Sequence, residues 1–171
     1  MRIYLFVLSL FIVLGFSSCE QKTLTVENFH QHSVELFEFY TNYLTTFANS
    51  DSKPQELTDL TAIWTKRNKA DLKQLETLKN SELDNEITDV LANLIRKVEL
   101  YNEQLNREII IIKSKETQDT EDIAKLRRYY DATTKYVRSA EEDFVELYFK
   151  FVKRNDLTIN LKIEELRERL D

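Results

Sequence analysis

Residues 91–112, LANLIRKVELYNEQLNREIIII, decide the fold. Leu91, Leu94, Val98, Tyr101, Leu105 and Ile112 recur in steps of three and four; Glu108 is a misfit in a slot that its neighbour Ile109 can serve. An α-helix turns about 100° per residue, so this spacing gathers the apolar side chains into one stripe. Near-heptad spacing of this kind suits helices packed side by side with a slight supercoil, as in a coiled coil or a bundle.

The same periodicity extends in both directions. Before the stretch, the apolar phase slips between Leu78 and Leu83 across Asn80-Ser81, and Ser81 with Asp84 supplies a polar cap for the next helix. A second helix is expected from Ser52-Lys53-Pro54-Gln55 to about Lys79, with Leu57, Leu60, Trp64, Leu75 and Leu78 inward and Asp71 as the odd member of that stripe. A first helix, roughly Val26 to Ala48, carries Phe29, Leu36, Phe37, Tyr40, Tyr43, Leu44 and Phe47 on one face. After residue 112, Lys113 to Glu121 loses the pattern and reads as a connection. A fourth helix then runs to about Arg154 through Ile123, Leu126, Tyr130, Val137, Ala140, Phe144, Leu147, Phe151 and Val152. The tail, 157–170, fits a strand or a helix by spacing. A lone strand has no pairing partner for its backbone, which favours a short helix.

The 171 residues contain one Gly, one Pro, one Cys and one Met. Such scarcity of turn residues argues against sandwiches, barrels and Gly-rich nucleotide folds. Helix ends then need another residue in the left-handed position. Asn is the most tolerant after Gly, and Asn49, Asn80 and Asn155 fall at three breaks. The expected architecture is all-α, an up-down-up-down four-helix bundle over 26–171 with a short C-terminal helix. First and last helices are neighbours in that topology, and they hold most of the aromatic residues, so their aromatic faces are expected to meet. Helices three and four read as longer than the first two, so their hairpin is expected to project. Ile109, Ile110, Ile111 and Ile112 lie near that end. Four consecutive apolar residues go round a helix, so they are a candidate partner-binding patch, unless the tail, a loop or a wider helix contact covers them.

The chemical inventory is thin. Without Gly beyond residue 15 there is no phosphate-cradling loop. His30 and His32 are two apart and diverge on a helix. Glu27 to His30 has the Glu-x-x-His spacing of di-iron bundles but lacks the second copy those sites need. Glu141, Glu142 and Asp143 read as a solvated helix face. Tyr129-Tyr130 and the aromatic stripes read as core before they read as the lining of an apolar ligand pocket. No catalytic, metal or cofactor-binding residue is assigned, and the chain is read as a non-enzyme.

The first residues differ from the rest. Met1-Arg2 is followed by an apolar run, Ile3 to Phe16, interrupted only by Ser9 and Gly15, and then by Ser17-Ser18-Cys19. A basic start, a short apolar run and small residues before a cut describe a secretory signal, too short to span a membrane. These residues also read as an ordinary cleaved signal with an incidental Cys, or as an uncleaved anchor. Small residues leading to the single Cys resemble the lipobox of bacterial lipoproteins, with Phe16 where an aliphatic residue is usual. The resemblance implies removal of 1–18, lipidation at Cys19, and 19–25 as a tether to the membrane. Glu20 is not the Asp that favours inner-membrane retention, which by itself does not choose between the membranes; the expected address is the outer membrane, on its periplasmic or surface face, ahead of the inner membrane.

Without Arg2 the mature chain has 23 basic and 30 acidic residues, a net charge of −7. That balance argues against nucleic acid and against a polybasic membrane-surface binder. The functional expectation is a membrane-anchored lipoprotein whose bundle binds an envelope protein as an adaptor or structural element. The alternative is a carrier of a small apolar ligand between aromatics of the first and fourth helices.

Overall fold

The computed structural model describes residues 24–49 and 51–171. The expected signal, residues 1–18, and Cys19 lie outside these residues, as does the tether as far as residue 23. Leu24 and Thr25, assigned to the tether from sequence, join the bundle. Leu24 packs against the core, and Thr25 Oγ1 accepts the Asn28 N–H at 3.2 Å, capping the first helix.

That helix, α1, is Val26–Ala48. It is followed by α2, Pro54–Ser81, and α3, Asn85–Leu100. A π turn, Tyr101–Leu105, leads directly into α4, Asn106–Ser114. α5 is Thr120–Asn155 and α6 is Leu161–Leu170. No strand occurs among the described residues, so the tail is helical.

Short acidic and amide side chains start the helices. Asp84, Asp119 and Asn160 each accept a backbone N–H of the first turn, at 3.0, 2.7 and 3.0 Å. α2 instead has Pro54 in its first turn, where the missing N–H costs nothing. The helix ends depart from expectation. Asn49 is extended, and the α1–α2 turn closes through side chains: Asn49 Oδ1 accepts the Asp51 N–H at 2.9 Å, and Ser52 Oγ donates to the Thr46 carbonyl at 2.6 Å. The left-handed residues are Glu82 and Asp156, at φ 54° and 53°, rather than Asn80 and Asn155. The helices continue through the two Asn residues, and the reversal falls after their last apolar contacts, Leu78 and Val152.

The π turn explains the Glu108 misfit. Leu100, Leu105 and Asn106 all keep right-handed helical dihedrals, so α3, the turn and α4 form one continuous rod. The Asn106 N–H reaches back to the Tyr101 carbonyl, a five-residue step. One π turn adds one residue to the α-helical phase. Inward positions therefore shift by one beyond Tyr101: Asn106 and Ile109 are buried where a regular helix would bury Leu105 and Glu108.

α1 sits innermost, packing on α5, α3 and α2. Its aromatics meet those of α5 as expected for neighbouring first and last helices. Phe29 and Phe151 have ring centroids 5.0 Å apart, and Phe37 stacks on Phe144 at 3.8 Å with planes 5° apart. Low-numbered residues of α1 pair with high-numbered residues of α5, so the two run antiparallel. α1 and the third rod run parallel across the diagonal, with Phe47 stacked on Tyr101 at 4.7 Å. Fully burying a Phe contributes roughly 1.5–3 kcal/mol, so this face dominates cohesion. α2 is 28 residues long and runs antiparallel beside residues 85–114, with Thr61 opposite Asn106 and Ser52 opposite Lys113. The third rod therefore has α2 beside it to its end, and the expected bare projection is not formed.

Candidate functional site

The isoleucine run is divided by its two neighbours. α4 lies between α2, through Asn106 and Lys113, and α5, through Glu108, which accepts from Lys125 and from Tyr129 Oη. Ile109 and Ile112 are 0% and 4% exposed, Ile110 is half-buried, and Ile111 is 61% exposed. The wide helix contact covers the run, so these four residues do not form a continuous exposed patch. Ile111 alone stands fully out.

The histidines diverge. His30 Nε2 lies 2.8 Å from Tyr148 Oη, while His32 Nδ1 is 3.7 Å from Glu35. Burial holds the His30 imidazole below its usual 6.5. The acidic trio also separates. Glu142 accepts from Arg138 Nε at 3.1 Å. Glu141 lies half-buried on the neighbouring face, where burial raises its carboxyl pKa against the pull of Arg169 and Arg138. Tyr130 is buried, its hydroxyl without a hydrogen-bond partner among the described residues and pushed up to about 12 by burial. The aromatics expected to line a ligand cavity between α1 and α5 instead lie ring against ring.

Two features remain that the sequence reading did not single out. The first is a surface trough. α6 occupies the outer groove between α1 and α5, burying Ile163 and Leu166 and pairing Lys162 with Glu38 at 2.7 Å. Beyond the last turn of α6 the groove stays open. A cleft of about 530 Å³ lies among Ala48, Val137, Glu141 and Leu166. It shares Ala48 and Thr134 with a second cleft of about 450 Å³ bordered by Ile123, Leu126 and Tyr130. Together they form one trough running from the end of α6 to the start of α5.

The second is a polar seam inside the bundle, where α2 faces α1 and the π turn. Asp71, 3% exposed, accepts from Tyr40 Oη and from Arg67, each at 3.2 Å. Arg67 lies 3.8 Å over the Phe39 ring. Further along, Tyr43 Oη donates to Asn102 Oδ1, and Asn106 Nδ2 donates to Thr61 Oγ1, which itself donates to the Leu57 carbonyl at 2.8 Å. Burial raises the Tyr43 pKa, opposed by hydrogen bonds to Thr61 and Asn102, so these residues form one cluster. The extra residue of the π turn lets both Tyr101 and Asn102 face inward. Four buried atoms here have no hydrogen-bond partner among the described residues: Trp64 Nε1, Asn68 Oδ1, Asn102 Nδ2 and Asn106 Oδ1. Each such atom costs about 1–3 kcal/mol, against a total stability of about 5–15 kcal/mol for a domain. The misfit at Glu108 and the odd Asp71 were the sequence signals of this seam.

Among the described residues no helix is long and apolar enough to cross a membrane. Comparison of the chain with protein-family models, curated proteins and solved structures finds no significant match.

Proposed function

We propose that this chain is a non-enzymatic lipoprotein, anchored through Cys19 to the outer membrane of a bacterial envelope, and that its bundle holds a helix of a partner protein in the trough between α1 and α5. The observation that carries the binding reading is the continuity of the trough with the seat of α6. An amphipathic helix fills the near part of the groove through Ile163 and Leu166. The open part offers an apolar floor of the same kind in Ala48, Val137 and Leu126, edged by charged Arg138, Glu141 and Asp131. An apolar floor with a polar rim is the surface that accepts one face of a helix. α1 spans 23 residues, about 35 Å at the usual helical rise, so the trough opens well away from the anchored end.

Two measurements test the two halves separately. Cys19→Ser should release the protein from the membrane fraction and abolish incorporation of labelled palmitate; retention in the membrane would sink the anchor. Photo-crosslinkers at Thr134 and Val137 should capture a protein that a crosslinker at Ile111 does not, and Ala48→Glu with Thr134→Lys should abolish that capture. Capture that ignores those two substitutions would sink the trough as the binding site.

A further inference from the structure

We infer that the seam between α1, α2 and the π turn is an internal binding site for water. The four unpaired atoms are two donors, Trp64 Nε1–H and Asn102 Nδ2, and two acceptors, Asn68 Oδ1 and Asn106 Oδ1. Turning either Asn102 or Asn106 by 180° exchanges the unpaired atom without pairing it, so the requirement does not depend on amide orientation. A ligand for this set must be small, uncharged and able to donate and accept at once, which is the chemistry of water.

Register places these groups along one line. Thr61, Trp64 and Asn68 are separated by three and four residues on α2 and share its inward face. α2 runs antiparallel to residues 101–106, with Asn106 bonded to Thr61. One turn back, Asn102 therefore falls at the level of Trp64, and Tyr43 joins Asn102 from the α1 side. Trp64, Asn102 and Asn106 are 8%, 9% and 2% exposed, so bulk solvent does not pair them. Single π turns inside α-helices are frequent at functional sites. Here the turn points two amides towards the seam.

Trp64 is the only tryptophan, so its indole proton gives one unambiguous resonance. The test is water–protein Overhauser spectroscopy on the full-length chain in mild detergent, with native mass spectrometry on the same sample. The expected result is a cross-peak from the Trp64 indole proton to water, with the sign of a slowly tumbling, long-lived molecule. It persists in Tyr43→Phe and in Thr61→Val, which remove the exchanging hydroxyls of the seam, and the mass equals that of the chain with its modifications. Asn102→Leu with Asn106→Leu should remove the cross-peak. A wild-type spectrum without the cross-peak overturns the site, whatever the variants do. A retained organic molecule in the mass spectrum overturns it too, because the polar atoms would then be paired by something other than water.

Discussion

His30 Nε2 and Tyr148 Oη lie 2.8 Å apart, and the same hydroxyl accepts the Asn160 N–H at 2.6 Å. With one lone pair of Tyr148 occupied by the backbone of the α5–α6 connection, its proton is free to go to His30. A neutral imidazole accepting at Nε2 suits this arrangement, and burial favours the same form.

Stability should therefore depend on pH through His30. Its folded pKa is depressed, so between the folded value and the unfolded value near 6.5 the unfolded state binds more protons. The contribution is complete above about pH 7 and is lost as pH falls through 6.5 towards the folded value. Urea unfolding at stepped pH should show this loss, and His30→Gln should flatten it. Equal slopes for both proteins would contradict the arrangement.

The Phe37–Phe144 stack should be among the most expensive contacts to remove. Both side chains are at or below 1% exposed, and truncation of either to Ala should cost about 3–5 kcal/mol. The stacked pair should show a coupling of about 0.5–1.5 kcal/mol in a double-mutant cycle by chemical denaturation.

Asp71 tests the polar seam from its other end. Asp71→Leu leaves the fully buried Tyr40 hydroxyl unpaired and should cost about 2–3 kcal/mol. Adding Tyr40→Phe removes the stranded hydroxyl and should recover most of that loss. A double variant as unstable as the single one would mean that Asp71 acts through Arg67 instead.

Glu82 holds a left-handed backbone without being Gly. Glu82→Gly should stabilise the chain by about 0.5–1 kcal/mol, the relief of the Cβ clash less the entropy Gly brings to the unfolded state. Asp156→Gly should gain less, since Asp tolerates this region better.

The π turn predicts an unusual tolerance. Deleting Gln104, an exposed residue of the turn, restores α-helical phase while keeping Ile109 and Ile112 inward. Deleting the exposed Arg96, in regular helix, rotates everything after it by about 100°. Thermal denaturation should find the first deletion folded and the second severely destabilised.

These elements also mark how far the sequence could be read. The bundle, its four main helices and the pairing of α1 with α5 follow from apolar spacing, because burial of one stripe per helix is a one-dimensional signal. The extra residue at 101–105 left only the misfit of Glu108, since a π turn has no composition of its own. The exposure of the isoleucine run depended on where α2 lies, which periodicity within one helix does not contain. The left-handed residues were missed by one or two positions because tertiary contacts at Leu78 and Val152 carry the helices past the Asn residues. The trough depends on how α6 seats between α1 and α5, a property of the assembled chain alone.

The innermost position of α1 has a consequence for the order of events during synthesis. Phe37 is made 107 residues before its partner Phe144, a delay of roughly 5–20 s at ordinary translation speeds. Throughout that interval the face of α1 that meets α5 has been made without its partner, while α2 and the third rod, made earlier, pack on its other sides. The bundle therefore closes in two steps, and the seam between α1 and α5 comes last. It waits for its last long helix, and until then a strongly apolar segment near the start of the chain must be kept from sticking to anything else.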